Sequence, residues 1–226
     1  MLGRNAPPRK ADIRGRPPAT RIREVIFRAL YGLGAPWYDR LTDRLFLGEW
    51  ERWQRLALRD LPERGTVVEL GAGTGVLAAA GATAERRWIA VDASSSMLAR
   101  AARRRRRGGA CLVRAASQAL PLADDCCTAI VATFPSNYIM SPATHAELRR
   151  IITPGGQLIV VLSGELRPST PRLWIRWVAL RLFYGSARHP QQVLNIEGFV
   201  GTVGVIQTEF GSAAVLRATH APAGLF

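Results

Sequence analysis

The sequence is poor in lysine, histidine and cysteine, and each shortage excludes something. Lys10 is the only lysine among 226 residues, so the net charge of +14 comes almost wholly from arginine. Arginine usage this one-sided can follow from genomic base composition. The inference from a high isoelectric point to nucleic-acid binding is therefore weak. The three cysteines are Cys111 and the adjacent pair Cys126-Cys127, and none forms a CxxC. His145, His189 and His220 lie far apart without ligand spacing. No metal site is expected from them, and the thiols suit a reducing cytosol. No apolar run reaches eighteen residues, so no bilayer-spanning helix is expected. The basic start has no hydrophobic segment of the kind a secretory signal carries.

What the chain does have is organised in three parts. Residues 1–20 hold Pro7-Pro8, Pro17-Pro18 and several arginines, and read as a basic disordered leader. Residues 21–62 read as an N-terminal helical extension. Ile22, Val25, Ile26, Ala29 and Leu30 fall at helical spacing there, and a second helical stretch is expected from Trp37 to Leu58. From residue 63 to 226 strands and helices alternate. Strands are expected at Thr66–Leu70, Trp88–Val91, Cys111–Arg114, Ala129–Ala132 and Gln157–Leu162. Helices are expected at Val76–Ala84, Ser95–Arg105, His145–Ile151 and Gln191–Glu197. The end, Gly201–Glu209 and Ser212–Thr219 around Gly211, reads as a β-hairpin. The pattern predicts an α/β fold with a doubly wound, mostly parallel sheet and an antiparallel hairpin at its C-terminal edge. Arg103 to Arg107 form a second block of like charge, read as a solvated helix end.

The first expected strand runs into Glu69-Leu70-Gly71-Ala72-Gly73-Thr74-Gly75. Glycines there let the backbone turn sharply and approach a ligand, and the next helix offers free N–H groups at its start. In a doubly wound sheet ligands sit at the carboxyl ends of the strands, where strand order switches. Asp92 closes the second strand, 17 residues after Gly75, where a carboxylate can accept the hydroxyl protons of a ribose. A dinucleotide cofactor is disfavoured, because Val76 stands where that fingerprint wants glycine or alanine. Glu69, before the loop, would repel a pyrophosphate and attract the amino group of a methionine moiety.

With these residues in place, the sequence resembles the class I S-adenosylmethionine-dependent methyltransferases. Val67-Val68-Glu69-Leu70-Gly71-Ala72-Gly73-Thr74-Gly75 is close to the family's first motif, and Ile89 to Leu98 looks like its second. Leu120-Pro121-Leu122 with Asp124 resembles its Leu-Pro-Phe-x-Asp segment, and Leu148 to Leu158, with Pro154-Gly155-Gly156, its turn before the fifth strand. The resemblance implies a seven-stranded sheet and S-adenosyl-L-methionine as cofactor. It also implies a cofactor site made by Tyr38, Glu69, Gly71, Ala72, Gly73, Gly75, Asp92, Ala93, Met97, Ala116, Ser117 and Thr133. Ala116 departs from the pattern, since the family usually places there an acid that accepts the adenine amino group.

The acceptor pocket is expected in Thr133 to Ile139, which lacks the Asn-Pro-Pro-Tyr signature of amino-methylating nucleic-acid enzymes. The layout resembles the ubiquinone/menaquinone-biosynthesis and phospholipid N-methyltransferase branch, which implies a small-molecule, quinone-like or lipid acceptor. Tyr38-Asp39 resembles that branch's lid over the cofactor. Residues 166–189 read as an insertion whose mixture of Trp174, Trp177 and arginine suits either core packing or a lid touching anionic lipid headgroups. The alternatives are a basic nucleic-acid-binding or RNA-modifying protein on the same fold, or a weak or inactive member. No catalytic base is assigned; His145 is a candidate general base, but it reads rather as a solvated helix-start residue. The expected location is cytoplasmic with peripheral membrane contact, and no oligomeric state is indicated.

Overall fold

In a computed structural model, the structure describes residues 48–105, 109–167 and 196–221, with Phe46 and Trp174. The leader, the stretch 21–34, the Tyr38-Asp39 pair, the Gln191–Glu197 helix up to residue 195 and nearly all of the 166–189 insertion lie outside the described residues. Seven strands, β1 (Gly65–Leu70), β2 (Arg86–Asp92), β3 (Cys111–Arg114), β4 (Cys127–Thr133), β5 (Ile152–Leu166), β6 (Phe199–Gln207) and β7 (Gly211–His220), form one sheet. Their order is β3-β2-β1-β4-β5-β7-β6. The first five are parallel, and β7 runs antiparallel to both β5 and β6. The hairpin therefore folds inward: the last strand pairs with β5, and β6 becomes the edge.

Helices cover both faces, so the central strands are apolar on both sides. Val67, Val68 and Leu70 of β1 and Ala129 to Ala132 of β4 are all buried. On one face α1 (Glu49–Arg55), a 3-10 turn (Leu56–Asp60) and α2 (Val76–Gly81) pack with Trp53, Leu77 and Trp88. On the other, α4 (Pro142–Ile151) contributes Leu148 and Ile151 against Leu70, Ile130 and Leu158. Helix α3 (Ser95–Arg104) begins at Ser94, whose Oγ accepts the Met97 N–H at 3.4 Å.

Several element boundaries differ from expectation, and three of the differences coincide with a local feature. The helical stretch Trp37–Leu58 is interrupted at Gly48, which is left-handed at φ 77° and starts α1 afresh; Leu56–Asp60 then tightens to a 3-10 turn. Helix α2 stops at Gly81 instead of Ala84; Trp88 lies against Gly81 so closely that a Cβ there would come within 2.2 Å of its ring. Strand β5 starts at Ile152. Its Pro154-Gly155-Gly156 stretch loops out of the ladder, since Cys127 pairs with Ile152 but Ala129 already pairs with Gln157.

Helix α1 is bolted to the hairpin tip. Trp53 is fully buried, its Nε1 donates to Thr208 Oγ1 at 3.2 Å, and Thr208 in turn donates to the buried carboxylate of Glu49. Arg52 bridges Glu49 and Glu209, and Arg217 of β7 holds Asp60 at 2.7 Å. The Trp53 ring fills the space over Gly164 and Gly211. A methyl group at Gly164 would lie 2.2 Å from that ring, so Gly164→Ala is expected to cost about 1–3 kcal/mol. Urea denaturation of the two proteins measures it, and an unchanged midpoint would contradict this packing.

Candidate cofactor and methyl-acceptor site

The glycine loop leaves β1 at the point where strand order reverses, between β1–β2 on one side and β4 on the other. Gly71, Gly73 and Gly75 have φ of 70°, 54° and 75°, a region that side chains rarely adopt. The loop is tied down by its own backbone. Gly71 and Ala72 N–H donate to Val91 O at 2.9 and 3.0 Å, and Gly75 N–H donates to Ala72 O at 2.9 Å. At Gly75 a Cβ would lie 2.7 Å from Ala101 Cβ of α3, so this glycine also permits helix packing.

Asp92 sits at the centre of this arrangement. Its Oδ2 accepts the Gly73 N–H at 2.7 Å, and its Oδ1 accepts the Ser94 N–H at 2.7 Å. Ser94, not Asp92, caps α3. Each carboxylate oxygen keeps acceptor capacity beyond its one bond. Asp92 thus does two things, fixing the loop from beneath and offering oxygens at the strand end.

Glu69 is buried among apolar groups, and its Oε2 accepts the indole N–H of Trp88 at 2.8 Å. The Ala78 N–H of α2 also donates to it. Burial pushes its pKa up to about 8, despite the Trp88 bond, with the nearby Asp92 charge adding to the rise. Near neutral pH Glu69 therefore holds its proton, and its attraction for an ammonium group appears only as an entering cation favours ionisation.

The other expected site residues are placed as follows. Ala93 is exposed, and Met97 is buried on the inner face of α3. Ala116 is exposed and pairs in a short bridge with Ala119. Ser117 Oγ lies 3.2 Å from Thr144 Oγ1. Thr133, at the end of β4, accepts from Gln54 Nε2 at 3.5 Å. Tyr38 lies outside the described residues.

Two expectations are corrected. His145 is not solvated: it is buried, with Nε2 2.8 Å from Ile139 O. The Arg103–Arg107 run is not purely a solvated helix end. Arg104 Nη1 donates to Thr74 Oγ1 at 2.8 Å and so clamps the glycine loop from outside.

Two further residues complete the site: Tyr138, from within the expected acceptor segment, and Arg150, which was not anticipated. Tyr138 donates to Leu70 O at 3.1 Å and lies against Gly71, where its hydroxyl would be 2.8 Å from a Cβ. Arg150 joins the Leu120-Pro121 segment to α4. It donates to Leu120 O, Leu122 O, Asp124 and Glu147, and Glu147 Oε2 accepts the Leu120 N–H at 2.6 Å. The guanidinium holds the Glu147 carboxyl below the usual range. The only signal in sequence was that Asp124 and Arg150 both fall inside family-like motifs. Among the described residues no cluster of His, Cys, Asp or Glu could hold a metal ion.

Residues 67–156 match the family described as the methyltransferase domain. Over this stretch the chain carries a methyltransferase domain. It is 33% identical over 163 residues to a ubiquinone/menaquinone biosynthesis C-methyltransferase of Rubrivivax gelatinosus, covering 69% of this chain and 61% of that one. It is 33% identical over 136 residues to a demethylmenaquinone methyltransferase of Renibacterium salmoninarum, covering 58% and 56%. The chain thus spans about three fifths of the length of the curated relatives it matches. Among solved structures, magnesium protoporphyrin IX methyltransferase from Synechocystis PCC 6803, with bound SAH, superposes with a TM-score of 0.57 at 16% identity. That match covers 88% of this chain and 99% of the other, and it supports the fold alone.

The state of Glu69 has a measurable consequence. The folded chain keeps this proton up to about pH 8, whereas the unfolded chain releases it near 4.5. Ionisation therefore opposes folding, and stability declines as pH rises between those values, by up to about 1.4 kcal/mol per pH unit. Glu69→Gln keeps an acceptor for Trp88 and cannot ionise, so its stability is expected to vary less from pH 5 to 8. Urea titrations across that range test this, and parallel curves for both proteins would contradict the assignment.

Proposed function

We propose that this chain transfers a methyl group from S-adenosyl-L-methionine to a small-molecule acceptor of quinone type. The observation that carries the reading is the Asp92–Gly73 bond. It holds a loop of three left-handed glycines open at the switch point while the carboxylate retains capacity for more donors. The donor set fits the cofactor. Asp92 suits a ribose diol, the glycine loop admits close backbone approach, and Glu69 lies beneath as a latent carboxylate. Met97, Ala116 and Ser117 would border the adenine, with Ala116 contributing no carboxylate. Thr133 would stand at the strand end where the transferable group lies.

When bound, the cofactor supplies an electrophilic methyl group on a sulfonium. The chain's own work is then to orient the acceptor in line and keep water away, which can account for a large share of the rate. The scheme assigns no role to His145, whose Nε2 faces Ile139 O. Support for a quinone-type acceptor comes from the two curated relatives, whose names record that chemistry.

Among the described residues no helix is long and apolar enough to cross a membrane. Contact with a membrane surface is a further part of the proposal. Trp174 is 56% exposed and stands between Arg172 and Arg176 in sequence, a pairing that suits anionic headgroups.

Isothermal titration with S-adenosylmethionine and S-adenosylhomocysteine tests the cofactor, and absence of binding at high micromolar concentration would overturn it. Asp92→Ala is expected to weaken binding by about 10- to 100-fold, as loss of charge-assisted bonds predicts. Flotation with phosphatidylglycerol vesicles tests the surface contact: salt-sensitive binding that falls in Trp174→Ala is expected, and equal recovery without lipid would refute it.

A further inference from the structure

The bond network leaves one polar atom unexplained beside the proposed reaction centre. Gln54, on the inner turn of α1, reaches the end of β4 and donates through Nε2 to Thr133 Oγ1 at 3.5 Å. Its Oε1 is buried and accepts no hydrogen bond among the described residues. A buried acceptor left without a donor is uncommon in folded proteins and calls for a reason. Its terminal torsion is soft, so a small rotation presents the oxygen to an entering group.

The residue after Thr133 is the second observation. Phe134 has φ 48°, in the left-handed region that aromatic residues rarely adopt. Its N–H donates to Val161 O at 2.7 Å, which holds it there. The ring is thereby turned onto Trp50, stacked at 4.0 Å and 22°, and edge-on to Trp53 at 6.3 Å. Strained backbone maintained by its surroundings is typical of functional positions. Gln54 and Phe134 are both half-buried, so they border the site from the α1 side of the sheet.

We propose that Gln54 and Phe134 form an acceptor-recognition subsite for a planar hydroxyarene. Its ring lies along the aromatic wall of Phe134, and its hydroxyl donates to Gln54 Oε1. The two groups divide the labour. The wall selects flat rings over flexible chains, because face and edge contacts between rings add to simple burial. The amide oxygen selects a ring bearing a donor over its ether or unsubstituted counterpart, since only the donor meets the unfilled acceptor. This assignment rests on the methyl-transfer reading, because it is Thr133 that places both residues at the reacting end of the cofactor site.

The test uses the full chain saturated with S-adenosylhomocysteine and titrated calorimetrically with 1-naphthol and with 1-methoxynaphthalene, which lacks the donor. The wild-type protein is expected to bind 1-naphthol about tenfold more tightly. Gln54→Leu is expected to erase that preference. Phe134→Gly, whose backbone suits the left-handed conformation and so preserves the loop, is expected to weaken both probes several-fold. Both variants should bind S-adenosylhomocysteine as the wild type does. A wild-type protein that binds the two probes alike, or a preference that survives Gln54→Leu, overturns the subsite. So does probe binding unaltered by Phe134→Gly. Failure of S-adenosylhomocysteine to bind, seen before any probe is added, would instead bring down the methyl-transfer reading and the subsite with it.

Discussion

Two short hydrogen bonds to one carboxylate organise the site. Asp92 takes the Gly73 N–H with one oxygen and the Ser94 N–H with the other, each at 2.7 Å. It thereby couples the turn after β1 to the turn after β2. The glycine loop could adopt many backbone conformations, because glycine is restricted least in the unfolded chain and loses most freedom on folding. Fixing it before a ligand arrives moves that entropic cost from binding into folding, where the buried sheet offsets it. Arg104 from α3 and Tyr138 from beyond β4 brace the same loop from two further directions.

The core supports this by being rigid where the site needs rigidity. Trp88 packs between the sheet and α2, against Gly81, and donates to Glu69. Trp53 does the same at the far side, between α1, Gly164 and the hairpin tip. Each tryptophan thus serves as a large apolar filler and as a single directed donor, a pairing suited to a place where a polar strand end meets the core.

Much of this could be read from residue order. The apolar runs of β1, β2, β4 and β5 are buried on both faces, so their strands stand out without any alternating pattern. Gly71, Gly73 and Gly75 mark a loop because three positive φ angles have no other cheap solution. The hairpin was legible from Gly211, but its inward position was not, since strand alternation does not say which strand pairs with β5. The break at Gly48 was missed because the apolar spacing continues across it. His145 was misread because local sequence does not reveal that the 3-10 turn Asn137–Met140, just before α4, brings its Ile139 carbonyl to the ring. Asp124, Glu147 and Arg150 form one knot across 26 residues, a distance over which no local pattern operates.

The placement of β7 between β5 and β6 sets an order of assembly. While the chain is being made, β5 waits with one side of its ladder unpaired, and β6 has nothing in the sheet to join until residues 211–220 follow it. An unpaired strand edge is a template for wrong partners. Strand β7, made after both its partners, is therefore the one that closes this part of the sheet. Until then the nascent protein has its glycine loop in hand but offers an open border to its neighbours, so the vulnerable interval in its life lasts until β7 has docked.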